Sequence, residues 1–116
     1  MAAGVHNFTI EQGTTVSMSF AYQTSTGAVI SLVGYTARMQ ARETVSTAST
    51  FIDATTENGQ LSINGAAGIV TLSLSATVTA ALDFRTAVYD LEIISSAGVV
   101  TRMVQGTITL SREVTR

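Results

Sequence analysis

The chain has 116 residues, of which 46% are hydrophobic and only 12% charged, with a formal net charge of -2. That length supplies one core, burying roughly two thirds of the unfolded surface, so residues 1–116 read as a single domain. The composition excludes a disordered linker, which needs low hydrophobicity and high charge, and a mildly acidic chain without lysine offers no concentrated basic field for nucleic acid.

Every basic residue is an arginine: Arg38, Arg42, Arg85, Arg102, Arg112 and Arg116. A planar guanidinium tolerates burial and pairs bidentately with carboxylates, which suits protein contacts, although coding bias would give the same inventory. Cysteine is absent, so there is no disulfide framework, thiolate nucleophile or cysteine metal site. No stretch approaches the roughly 20 apolar residues that span a bilayer, and Met1-Ala2-Ala3-Gly4 lacks the regions of a secretion signal. A protein made in the cytoplasm, with no membrane partner, is expected.

Along the chain, short apolar and polar alternations are punctuated by glycine, and proline is absent, a pattern of strands. Phe8 and Ile10 precede a break at Glu11-Gln12-Gly13. Val16, Met18, Phe20 and Tyr22 then alternate with Ser17, Ser19, Ala21 and Gln23 as a half-buried strand. A turn at Ser25-Thr26-Gly27 leads to the apolar run Val29 to Leu32 and a break at Gly34. Residues 35–43 have helical propensity by composition but period-two alternation, and strand is the reading adopted.

Thr44 to Thr50 reads as a loop. Phe51 to Ala54 leads to Glu57-Asn58-Gly59, read as a tight hairpin because Asn-Gly supplies positive φ values. Leu61 to Ile63 and Ile69 to Leu74 flank a second hairpin connection at residues 64–68. Ser75 to Leu82 is the one plausible helical turn, capped by Ser75. The strongest hairpin runs from Ala87 to Ile94, turns at Ser95-Ser96-Ala97-Gly98, and returns over Val99 to Ser111, with Gly106 marking a bulge or a close backbone approach. The predicted fold is all-β: an antiparallel two-sheet β-sandwich, immunoglobulin-like, with at most one short helical turn.

Groups able to exchange protons, attack or bind metal are scarce. One histidine, His6, can form neither a histidine metal cluster nor an evident triad. Asp90 and Glu92 share one side of a strand about 7 Å apart, a spacing compatible with acid/base hydrolysis, but no aromatic-lined cleft accompanies them. Residues 65–68 precede a strand rather than a helix, so they do not read as a phosphate loop. No catalytic residue, metal or cofactor is expected. Arg38, Gln40 and Arg42 form a short polar ladder able to pair with Asp90, Glu92 or a neighbouring chain, and with Arg112 and Arg116 these are the candidate subunit contacts.

Four stretches carry a resemblance. Residues 7–14 (Asn-Phe-Thr-Ile-Glu-Gln-Gly-Thr), 34–40 (Gly-Tyr-Thr-Ala-Arg-Met-Gln), 88–93 (Val-Tyr-Asp-Leu-Glu-Ile) with Gly98, and 106–115 resemble small virion proteins of tailed bacteriophages. The chain is similar to the N-terminal sandwich domain of upper baseplate proteins, which anchors to the tail, and residues 1–116 themselves carry no coiled-coil or fibre pattern. The resemblance implies a structural tail or baseplate subunit that holds neighbouring subunits or fibres. Its partners would be copies of itself, with a trimer favoured, and other virion proteins. A capsid decoration protein is the alternative within that class, and a carbohydrate-binding sandwich module is the alternative outside it.

Overall fold

In the computed structural model, which describes residues 4–24 and 26–115, nine strands and one short helix follow the punctuation of the sequence. The strands are β1 (Gly4–Val5), β2 (Phe8–Glu11), β3 (Val16–Ala21), β4 (Thr36–Arg42), β5 (Ile52–Thr55), β6 (Leu61–Asn64), β7 (Ile69–Leu74), β8 (Thr86–Ile94) and β9 (Val100–Ser111). Helix α1 (Ala76–Ala80) is capped by Ser75, whose hydroxyl accepts from the Val78 amide.

A three-stranded sheet runs β3-β7-β6. It faces a six-stranded sheet in the order β1-β9-β8-β4-β5, with β2 also on β9. Three hairpins (β4-β5, β6-β7 and β8-β9) stay within a sheet, β1 continues into β2 along β9, and the other connections cross between sheets, giving an immunoglobulin-like strand order. Period-two alternation sends Ala37, Met39 and Ala41 of β4 and Tyr89, Leu91 and Ile93 of β8 inward against Phe20, Val70, Leu72 and Leu74. Phe51 stacks on Phe84 with ring centroids 4.7 Å apart, and the buried Thr79 hydroxyl donates to the Thr14 carbonyl at 2.7 Å.

Two expectations need correction. The larger sheet is not wholly antiparallel, because β1 and β2 run parallel to β9, with Gly4 opposite Val104 and Ile10 opposite Leu110. Alternation reports which face a residue takes, not the direction of its neighbour. Asn58-Gly59 closes no hairpin: β5 pairs with β4 and β6 with β7, so the turn carries the chain from one sheet to the other. Gly59 has φ +81° but Asn58 does not share the left-handed region, and its side chain instead accepts from the amides of Thr55 and Gln60. The run Val29 to Leu32 is also a crossing between sheets, with one bridge from Val29 to Gln23 and Leu32 buried. At the preceding turn, Ser25 lies outside the described residues.

Leu91 is fully buried at the middle of β8, opposite Met39 and Val104. Leu91→Ala should cost about 2–5 kcal/mol, through lost burial and the cavity left behind. Chemical denaturation of the two proteins measures this directly.

Candidate functional site: the outer face of the larger sheet

Residues that alternate with the core of β4, β5, β8 and β9 project from the outer face, where register arranges them in cross-strand rows. One row reads Thr55, Arg38, Glu92, Arg102, and the next reads Asp53, Gln40, Asp90, Gln105, with Val5 extending it onto β1. Directly opposed side chains in such rows are close enough to pair. Arg38 Nε stands 2.8 Å from Glu92 Oε1, and Arg102 Nε stands 3.5 Å from Asp90 Oδ2. Gln40 donates to Asp53 Oδ1 at 3.4 Å and accepts from Arg42 Nη2 at 2.7 Å. Both ion pairs are substantially solvated, so each contributes at most about 1 kcal/mol to stability.

Among the described residues, Arg42 takes no carboxylate. Its guanidinium donates to the carbonyls of Thr47 and Ala48, which ties down the loop after β4 and raises the exposed Val45 as a wall. On the opposite side Val5 and Asn7 form a second wall. Between them lies an open groove of about 620 Å³, floored by Gln40, Asp90, Glu92, Arg102 and Gln105.

The ladder therefore contains five of the seven residues expected from sequence: Arg38, Gln40, Arg42, Asp90 and Glu92. Arg112 stands apart, beyond the end of β9, and pairs with Asp83 at 2.7 Å. Arg116 lies outside the described residues. Arg102, Asp53 and Gln105 are additions. Strict alternation back from Thr107 and Gln105 would place Met103 outward and Arg102 inward. A β-bulge between the Leu91–Val104 and Glu92–Arg102 pairs reverses this, burying Met103 beside Val104 and turning Arg102 out.

The wall at Val5 and Asn7 depends on how the N-terminal segment passes Gly106. The His6 amide donates to the Gln105 carbonyl at 2.9 Å, and Asn7 Oδ1 accepts from the Thr107 amide at 2.9 Å, replacing a main-chain acceptor in the ladder. A Cβ at position 106 would overlap the His6 carbonyl oxygen, so the glycine marks a close backbone approach, one of the two readings its place in the strand allowed. That same carbonyl accepts the Tyr89 hydroxyl. Around it His6 stacks on Phe8 at 6.0 Å, and Phe8 meets the Tyr89 ring edge-on at 5.2 Å.

No protein-family model and no curated protein matches the chain. Among the described residues, no three His, Asp or Glu side chains gather as a metal site. All seven aromatic side chains are buried or half-buried, so none stands out as a stacking platform for a sugar.

Gly106→Ala should destabilise the protein by about 1–3 kcal/mol, through enforced separation of the N-terminal segment from β9, as measured by denaturant titration. Burial raises the Tyr89 hydroxyl from 10.0 to about 12. Between those values the unfolded chain releases the proton that the folded chain retains. Stability should therefore fall as pH rises from about 10 to 12, by roughly 2–3 kcal/mol in total. Denaturation across that range should show this loss, and Tyr89→Phe should reduce it.

Proposed function

We propose that the chain is a non-catalytic structural module that holds protein partners through the outer face of its larger sheet, as a repeated part of a larger assembly. The groove over Gln40, Asp90, Glu92, Arg102 and Gln105 carries this reading. It is open, walled by the exposed Val5 and Val45, and floored by charges already arranged in register. An interface of this kind combines an arginine-containing polar centre with exposed apolar contacts and derives its specificity from the pattern of charge. The carboxylates of the floor are engaged by arginines, an arrangement suited to recognition rather than proton transfer.

The assembly we favour is the tail or baseplate of a tailed-phage virion, with copies of this chain and other virion proteins as neighbours. Support comes from where the resembling stretches fall. Residues 7–14, 34–40, 88–93 and 106–115 cover β2 and parts of β4, β8 and β9, all in the larger sheet, and none of these stretches lies on β3, β6 or β7. The resembling stretches therefore fall on the sheet that bears the groove.

Charge reversal tests this reading. Arg38→Glu with Arg102→Glu puts negative charge beside Glu92 and Asp90 on solvated side chains, leaving the core intact. Incorporation of this variant into purified particles should fall at least tenfold, measured by quantitative mass spectrometry against the unaltered chain. Absence of the unaltered chain from purified particles, or equal incorporation of the two, would overturn the proposal.

A further inference from the structure

The free edge of the smaller sheet has a different character from the groove. Strand β3 has β7 on one side and no described strand on the other. The Tyr22 amide donates to the Gly68 carbonyl at 2.7 Å, and the register continues as Phe20 with Val70, Met18 with Leu72 and Val16 with Leu74. The Ser73 amide donates to Gln60 at 2.8 Å, so the odd-numbered residues of β7 face β6 and the even-numbered ones face β3. Antiparallel alternation then directs the main-chain groups of Ser17, Ser19 and Ala21 away from β7, toward the open edge.

Proteins ordinarily protect such an edge by charge, proline, a bulge or brevity. The other edges here have some of these devices: β5 and β6 are four residues each, β5 projects Asp53, and the β1-β2 edge is interrupted at His6-Asn7 and ends on Glu11. Strand β3 has none of them. It is six residues long and uncharged, and it pairs with β7 without a register shift. Its inward side chains Val16 and Met18 remain half-exposed, as expected of a sheet margin that lacks its next strand.

The sequence of the edge is self-complementary. A twofold axis through Ser19 sets Ser19 opposite its copy and Ser17 opposite Ala21, so the outward groups make about six main-chain hydrogen bonds. The same register sets Met18 opposite Phe20 and Val16 opposite Tyr22 on the inner face, covering the half-exposed apolar side chains. Two uncharged strands meet without like-charge repulsion, and a single closed contact satisfies both edges. We infer that β3 is a homodimerisation edge, pairing antiparallel with β3 of a second copy about Ser19 to join the two three-stranded sheets into one of six. The inference is independent of the groove, and its twofold symmetry differs from the trimer implied by the phage resemblance.

A contact of this length falls at the small end of specific interfaces, below about 1,200 Å² in total, so association is to be followed up to about 1 mM. Sedimentation equilibrium should show a monomer–dimer equilibrium. Ser19→Lys, which sets two ammonium groups face to face on an exposed surface, should weaken it at least tenfold while circular dichroism stays unchanged. In this cysteine-free chain, Ser19→Cys should form a disulfide dimer under mild oxidation, because bonded antiparallel partners have Cα atoms about 5.5 Å apart. Ser73→Cys, on the exposed face of the central strand, should cross-link at least tenfold more slowly. A monomer throughout the concentration range would overturn the inference. So would equal cross-linking of the two cysteine variants, or a dimer lost in the Arg38→Glu, Arg102→Glu protein but retained with lysine at position 19.

Discussion

The parallel seating of the N-terminal segment against β9 is the constraint on which the other features depend. It requires the two main chains to approach where Gly106 has no side chain, and it is secured by three polar contacts at one place: the His6 amide on Gln105, the Asn7 side chain on Thr107, and the Tyr89 hydroxyl on the His6 carbonyl. With the segment there, Val5 and Asn7 become one wall of the outer groove. The same placement leaves β3 without a second neighbour, since the strand preceding it in sequence joins the opposite sheet. One choice of pairing thus builds the groove and exposes the edge.

Much of the fold was legible because period-two burial is written directly into the side chains. The alternation in β3, β4 and β8, the Ser95 to Gly98 turn, and the Ser75 cap all follow from local chemistry. Partner and direction were less accessible. Nothing in Phe8 to Glu11 says that it lies parallel to β9, and Asn58-Gly59 resembles a hairpin turn until the pairing of its flanking strands is known. The partners of the segment come from β9 of its own chain, a long-range choice that no local pattern encodes.

The site shows the same division. Arg38, Gln40 and Arg42 could be assigned to one face with Asp90 and Glu92 because both strands are regular there. Arg102 could not, because the extra residue at Met103 inverts the alternation, and bulges have no strong local signature. Gly106 did give a signal, through its conformational cost within a strand. Arg112 was grouped with the ladder on residue type alone, and its partner Asp83 lies in the connection after α1. The outcome is a sandwich whose two sheets present different chemistry: patterned charge on the broad outer face, and bare main chain along one margin of the other.

Amide hydrogen exchange followed by NMR on the dilute monomer tests the placement of the N-terminal segment most directly. The amides of His6, Gln12 and Thr107 have partners across the segment and β9, whereas those of Ser17, Ser19 and Ala21 are directed to the open edge. The account predicts protection of the first three and rapid exchange of the second three. Protection of Ser17, Ser19 and Ala21 in the monomer, with rapid exchange at His6 and Thr107, would place the segment on β3 and contradict it.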